Sequence, residues 1–412
     1  LISRGRIALL ANITTDWRNT QRRRRDLEDY GALTTVNTRL LKASIVGAEE
    51  WHKTATLGWK EERALNLIRT VLRKGIEEYG DALRVVVSCS FGVDSLLTLH
   101  LVRRVSMELG ISFDTVWNNT LNEYPQTRLY AKKLTEEWSL NLVEARPDTT
   151  IRKIYEENGV DTLLKRKGDR SGGVGNKEPV VEKCCGSLKH KPMRKAIKEN
   201  GWHIMFNGVR AGESRQRWMS ARRDGDYFYS SHTWKTWVCR PILWWTALAD
   251  SFNYGNNRQE DVWNYVRKHD LPYNAIYDMN AVIDDAYTGK DVVVDRVTAE
   301  YLVAKGLNVF MPRTGCMACP IPIRRGYLRY LREVFPKVYR SMLFQLGFAR
   351  VLIAEMAEEQ RAELLEELNG FGVITEKTEE AVLDRLEDVI EMKPCVFDGV
   401  GVDKRKQPKK SA

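Results

Sequence analysis

A chain of 412 residues with 43% hydrophobic and 29% charged residues has ample material for a buried core, which excludes a disordered or fibrous polymer. No apolar run is long enough to cross a bilayer, and the start lacks the charged and apolar blocks of a signal peptide, so a cytoplasmic protein with no membrane partner is expected. The formal net charge of +10 favours polyanionic partners such as nucleotides or nucleic acid.

In chain order, residues 1–60 mix short β-like stretches with basic runs such as "RNTQRRRRD" (Arg18–Asp26) and read as an N-terminal extension. From Glu61 to Tyr79 the apolar residues Ala64, Leu65, Leu67, Ile68, Val71, Leu72 and Ile76 recur at helical spacing. "LRVVVS" then predicts a buried strand and Val93–Met107 a helix. "FDTVWNN" (Phe113–Asn119) predicts a second strand, Pro125–Trp138 a helix and "LNLVEA" a third strand. The Gly/Lys-rich stretch Lys165–Pro179 predicts a mobile loop. A helix near Lys191–Glu199 and the strand "HIMFNGV" resume the alternation. This rhythm predicts an α/β fold with a doubly wound, mostly parallel sheet. The nucleotide-binding domain spans 61–250, and 251–335 is a more helical region that completes the site. A helical C-terminal module, 336–412, holds the predicted helices Ser341–Leu368 and Glu376–Met392 and a basic tail.

The junction "SCSFGVDS" (Cys89 flanked by Ser88 and Ser90, through to Ser95) lies where the first strand gives way to the first helix of the sheet. In open parallel sheets that place offers unpaired backbone N–H groups and the positive end of a helix to an anion. Gly92 lets the backbone close on such a ligand, and Ser90 and Ser95 add hydroxyls. Asp94 is out of place in an anion site unless a cation such as Mg²⁺ intervenes or the acid is linked to the loop's own donors. The spacing fits neither a Walker loop nor a dinucleotide fingerprint.

Of seven cysteines, four are grouped, in the pair Cys184–Cys185 and in the C-x-x-C of Cys316 and Cys319. Neighbouring side chains diverge on helix and strand alike, so a cysteine pair is poorly explained by packing. The four are soft ligands suited to zinc or to a [4Fe–4S] cluster, and C-x-x-C spacing by itself leans towards zinc. Cys89 and Cys239 read as small packing residues, Cys395 as a candidate reactive thiol, and the histidines, His190 and His203 included, form no ligand-like pair.

S-x-G-x-D-S resembles the phosphate loop of the ATP pyrophosphatase (PP-loop) superfamily, and "SCSFGVDSLLTLHLV" is similar to phosphoadenylyl-sulfate (PAPS) and adenylyl-sulfate (APS) reductases. Further matches follow in order: "NNTLNEYPQT" (Asn118–Thr127), "CCGSLKHKPM" (Cys184–Met193), "GVRAGESRQR" (Gly208–Arg217), and "RPILWWT" followed by "EDVWNYVRKHDLPYN". The resemblance covers about Val85–Tyr330 and implies an adenine nucleotide α-hydrolase-like fold. It implies nucleotide binding by Ser88, Ser90, Phe91, Gly92, Val93, Asp94, Ser95, Asn118, Thr120, Gly208, Arg210, Glu213 and Ser214. Asp94, Arg210 and Arg217 take the catalytic roles, the two arginines sharing a face if their segment is helical. It also moves the preference for Cys184, Cys185, Cys316 and Cys319 from zinc to a [4Fe–4S] cluster.

The reductases attack sulfate with a cysteine in a Glu-Cys-Gly-Leu-His motif that this sequence lacks, and Asp94–Ser95 resembles members that bind intact ATP with Mg²⁺. The expected function is therefore ATP-dependent sulfur transfer of the kind found in DNA phosphorothioation. A sulfur donor such as a cysteine desulfurase, other modification-system subunits and nucleic acid, DNA first, are the implied partners. The rival readings are an APS or PAPS reductase using Cys395 and a scaffold subunit that binds ATP without turnover.

Overall fold

The structure, a computed structural model, describes residues 55–160, 180–245, 260–284 and 286–348. Three consecutive β-branched residues make β1 (Val85–Ser88) a central strand: Val85 and Val87 enter one core cluster and Val86 the other, all nearly excluded from water. A strand buried on both faces has no polar side to show, which is why it reads as a continuous apolar run. β2 (Asp114–Trp117), β3 (Asn141–Glu144), β4 (Ile204–Asn207), β5 (Tyr227–Tyr229) and β6 (Trp237–Cys239) complete a sheet of order β3-β2-β1-β4-β6-β5. Five strands run parallel, and only β5 is antiparallel, against β6 at the edge.

On one face lie α1 (Leu57–Tyr79), α2 (Val93–Leu109) and α3 (Pro125–Trp138), with α8 (Glu260–Lys268) packed against α1 and α2. On the other, α6 (Lys191–Asn200) sends Met193, Ala196 and Ile197 against Val86, Val116, Met205 and Val238. α4 (Ile151–Asn158) and α5 (Val180–Cys185) precede it, and a π-helical turn, Gly186–His190, joins α5 to α6. α7 (Arg215–Asp224) lies between β4 and β5. The predicted strands and helices of this core are all present. α1, however, starts at Leu57, where Thr56 caps it, four residues before the apolar spacing begins.

Beyond residue 260 the chain is less helical than its composition suggests. β7 (Asn280–Val282) pairs antiparallel with β8 (Val293–Val294) and β9 (Val309–Phe310), backed by α9 (Arg296–Ala304). Two- and three-residue strands leave no period to read, so this sheet escapes a pattern search. α10 (Tyr327–Val334) and α11 (Pro336–Arg340) follow. The predicted loop Lys165–Pro179, most of the N-terminal extension, Cys395 and nearly all of the C-terminal helical pair lie outside the described residues. Among the described residues no helix is long and apolar enough to cross a membrane.

A polar cluster joins α1, α2 and α8. Buried Glu61 accepts from Arg104 at 2.5 Å and Lys268 at 2.8 Å, with His269 Nε2 at 3.1 Å. Burial works against its charge, but the hydrogen bonds from Lys268, Arg104 and His269 outweigh that and hold its carboxyl down at about 2. His100, hydrogen-bonded to Tyr265 at 2.9 Å, is pushed down to about 4 by burial and by the charges of His269, Arg104 and Arg103, with Glu61 opposing. An unfolded histidine takes its proton near 6.5 and an unfolded glutamate near 4.5. As pH falls the unfolded chain therefore binds both protons first, and stability is lost from about 6.5 to 4 through His100 and from 4.5 towards 2 through Glu61. Urea midpoints taken between pH 7 and 4 should fall with acidity, and His100→Asn should flatten the decline above pH about 4.5.

Candidate functional site

Parallel neighbours bring the loops after β1, β2 and β4 to one edge of the sheet, at the carboxyl ends of adjacent strands. The loop after β1 is held from within. Ser95 Oγ donates to the Gly92 carbonyl at 2.8 Å and accepts from the Ser90 N–H at 3.2 Å, with Ser90 Oγ at 3.3 Å. Phe91 takes a left-handed φ of 57°, costly for a residue with a side chain. Its fully buried ring, edge-on to Trp117 and Tyr130, and the Asn274 amide on its carbonyl hold it there. Phe91 thus offers a ligand only its backbone, while Ser90, at the rim, is exposed.

Asp94, in the first turn of α2, accepts from Arg210 Nε at 2.6 Å. The Arg210 side chain is 1% exposed and that of Asp94 17%, so the acid of the phosphate loop is first of all the counter-charge of a buried guanidinium. The donor that Asp94 meets belongs to the loop after β4 rather than to its own loop. Gly208 lets the strands' loops approach: a Cβ there would lie 2.6 Å from the Asp94 carbonyl oxygen and 3.0 Å from the Ser95 nitrogen.

Arg210 and Arg217 do not share a helix face. Arg210 is extended, a single 3₁₀ turn, Ala211–Glu213, follows, and Ser214 caps α7 by accepting from the Arg217 N–H at 3.2 Å. Ser214 and Arg215 thus open a new helix after the turn, which breaks the two-turn spacing assumed for the pair. The link between them is Glu213, which accepts the Arg210 backbone N–H at 3.2 Å and pairs with the half-exposed Arg217.

The cysteine pair and the C-x-x-C converge. Cys184 is raised to about 12 by burial and by Cys185, Cys316 and Cys319; Cys319 is raised to about 12 by burial and by Cys316, and Cys316 is raised by burial. Lys189, from the π-helical turn, sits among them. Burial opposes its charge, yet Cys316, Cys185, Cys319 and Glu123 raise it overall. Cys185, Cys316 and Cys319 stay partly open to solvent, so the site is a recess rather than sealed core. Among the described residues no three His, Cys, Asp or Glu side chains are grouped to hold a single metal ion. Cys89 and Cys239 are buried, as packing residues should be.

Two residues expected at the nucleotide belong to this recess. Asn118 donates to the Lys189 carbonyl at 3.0 Å, and Thr120 accepts from Cys316 Sγ at 3.3 Å while donating to Glu123 at 2.7 Å. Glu123 pairs with Cys316 through a backbone bridge, and the Met317 N–H donates to the Asn122 carbonyl at 2.6 Å. The same cysteine loop reaches the phosphate loop. Thr314 Oγ1 fills the space a Cβ on Gly92 would need, and Tyr277 Oη, beside it, accepts from the Val93 N–H at 3.0 Å. Gly92, at φ −91°, is thus required by close approach rather than by backbone conformation. Arg313, Thr314, Tyr277, Glu123 and Lys189 were not singled out in the sequence. Arg313–Thr314 directly precede "GCMAC" and Lys189 lies inside "CCGSLKHKPM", which was the available signal.

The strand order makes a doubly wound, mostly parallel α/β protein, with the loop after β1 and Arg210 from the loop after β4 paired at one edge of the sheet. Residues 84–322, over half the chain, match the phosphoadenosine phosphosulfate reductase domain, and the chain belongs to that family. It is 28% identical over 233 residues to adenosine 5'-phosphosulfate reductase of Bacillus mycoides, covering 56% of this chain and 82% of that protein. Phosphoadenylyl-sulfate reductase from Candida auris, solved as a phosphate complex, aligns at 17% identity and a TM-score of 0.35 over 55% of this chain and 87% of that one. The U34-tRNA thiolase NcsA from Methanococcus maripaludis, solved with its [4Fe-4S] cluster, aligns at 12% identity and a TM-score of 0.31, over 70% and 78%.

Gly208→Ala tests the approach of the two loops. Because the clash is with backbone, the substitution should destabilise by about 1–3 kcal/mol, read as a lower urea midpoint, and should weaken nucleotide binding in protein that remains folded.

Proposed function

We propose that the protein is an ATP-dependent sulfurtransferase that adenylates an oxygen of its acceptor, releases pyrophosphate and puts sulfur in that oxygen's place. The observation that carries this reading is the cysteine loop, which touches the phosphate loop at Thr314 and supplies Cys316 and Cys319 two and five residues later. A phosphate site and a thiol-rich recess are thereby neighbours on one edge of the sheet, which suits chemistry that needs both an activated nucleotide and sulfur.

Four thiols from two segments, with Lys189 among them to balance thiolate charge, suit a [4Fe–4S] cluster, which ligates each thiolate on a different iron. Cys184, Cys185, Cys316 and Cys319 would hold it, and when bound it supplies iron with affinity for sulfur.

The chain's own groups account for the nucleotide half of the reaction. N–H groups at the start of α2 bind phosphate oxygens, and Mg²⁺ accompanies ATP as a substrate ion. The acceptor oxygen attacks the α-phosphorus and pyrophosphate departs. Arg210, fixed by Asp94, and Arg217, at the rim, balance the charge that accumulates on the phosphates. Sulfur at the sulfide level then displaces AMP, which carries the acceptor oxygen away. The net charge of +10 suits a nucleic-acid acceptor, and a phosphate oxygen of DNA is the acceptor proposed. A cysteine desulfurase is the proposed sulfur source, working with further modification subunits; a thiol reductant supplies the two electrons that release its persulfide sulfur as sulfide and is itself oxidised to a disulfide. A second reading, reduction of adenylyl sulfate with Cys395 as nucleophile, is favoured by the 28% identity to an APS reductase.

Anaerobically purified protein, given Mg-ATP with DNA, a cysteine desulfurase, cysteine and a dithiol reductant, should release pyrophosphate and AMP. Asp94→Ala, which leaves Arg210 without its counter-charge, should lose at least ~10²-fold of that rate. Sulfite released from adenylyl sulfate plus a dithiol, with no pyrophosphate from ATP, would establish the reductase instead. Iron and sulfide near four each per chain, lost in Cys319→Ser, should accompany the first outcome, whereas stoichiometric zinc without sulfide contradicts the cluster.

A further inference from the structure

Arg313 stands beside the phosphate loop on the strand of chain that ends in the two downstream cysteines. Its neighbour Thr314 packs against Gly92, so the backbone at 313 is fixed relative to the N-terminus of α2. Its guanidinium lies 3.8 Å from Glu213 Oε1, and Asp94, Arg210, Tyr277 and Arg325 are within its electrostatic reach. The side chain is 41% exposed, so the guanidinium is open to solvent.

The contact with Glu213 is long for an arginine–carboxylate pair, whose two-pronged form closes to about 2.7–2.9 Å. Glu213 also serves the Arg217 side chain and the Arg210 backbone, so one carboxylate is shared. Three guanidiniums, Arg210, Arg217 and Arg313, thus gather at Asp94 and Glu213 close to the N-terminus of α2. Helix-end N–H groups attract an anion, and a guanidinium fork matches two phosphate oxygens.

We infer that Arg313 is a phosphate-binding residue of the nucleotide site, held in place by Glu213 until the nucleotide arrives. The inference rests on the reading that the Ser90–Ser95 loop receives a nucleotide's phosphates, and it deepens that reading. Its consequence is a mechanical link: the loop that grips the phosphates through Arg313 also positions Cys316 and Cys319, fastened to Asn122 and Thr120 by hydrogen bonds. Changes at the cysteines are therefore felt as changes in nucleotide affinity, and the reverse, by the reciprocity of linked sites.

The test is the dissociation constant of Mg-ATP, measured anaerobically by equilibrium dialysis for the wild-type chain, Arg313→Gln, Arg313→Lys and Arg223→Gln. The last removes an exposed arginine that pairs with Asp224 on α7, and serves as the control for loss of one positive charge. Losing charge-assisted bonds to phosphate should weaken R313Q by roughly tenfold to a hundredfold. R313K should recover part of this, and R223Q should stay within about twofold of wild type, as expected for a surface charge. Cys319→Ser should weaken ATP severalfold although it cannot touch the nucleotide. R313Q binding as tightly as wild type, with an unchanged urea midpoint, overturns the inference alone; a wild-type chain that binds no ATP overturns it together with the functional reading. Should R313Q not fold, R313K decides: it keeps the charge but not the fork, and equality with wild type overturns the inference.

Discussion

A guanidinium withdrawn from water must be answered by a negative charge, and the pairing of Arg210 with Asp94 meets that demand at 2.6 Å. The pair ties the loop after β4 to the first turn of α2, two places that the sheet brings to the same edge but does not lock together. Gly208 allows the approach, Glu213 steadies the Arg210 backbone, and Ser95 stitches the phosphate loop shut one residue beyond Asp94. Removing one partner would leave the other charge largely buried, a penalty of about 3–5 kcal/mol for a pair of this kind. The arrangement of the loops after β1 and β4 follows from this contact.

Around that pair the protein places segments from distant parts of the chain. The loop Arg313–Cys319 lies more than two hundred residues from Ser90, and it meets both the phosphate loop and the turn after β2. Buried tyrosines support it: Tyr327 donates to the Met317 carbonyl and also meets Tyr124, 2.6 Å away. The loop is thus anchored on rigid elements, α3 and α10, rather than left to fold over the site. Rigid support of this kind lets a recess keep four thiols near one another without a disulfide between them.

The polar cluster of Glu61, Arg104, Lys268, His269, Tyr265 and His100 stands behind the site rather than in it. It pins α1 and α8 to α2, whose N-terminus carries Asp94. Polar side chains at a helix junction are costly to bury unless each finds a partner; here Glu61 meets Arg104, Lys268 and His269, while Tyr265 meets His100 and Arg104. The orientation of α2 is consequently fixed at both ends, by Asp94 at the front and by Arg104 and His100 further along.

The alternation of strands and helices, the phosphate loop after β1 and the four grouped cysteines could all be read from residue order, because each depends on neighbours within one or two turns of chain. The valine run of β1 and the apolar spacing of α1 are local facts, and so is the glycine-serine turn that joins β1 to α2. The small β7–β9 sheet could not be read, since strands of two or three residues carry no period, nor could the antiparallel edge strand β5, whose direction is set by its partner. Arg210 and Arg217 could be picked out through the resemblance, but their relation could not: a 3₁₀ turn and a new cap separate them, and Glu213 joins them. Sequence alone determined the α/β alternation, the family and the two cysteine groups. Only the tertiary structure decided that Asp94 answers Arg210, that Asn118 and Thr120 are bonded to the cysteine recess and that Arg313 stands near Glu213 beside the loop after β1. Contacts between segments seventy or more residues apart are fixed by packing, and packing leaves no mark in local spacing.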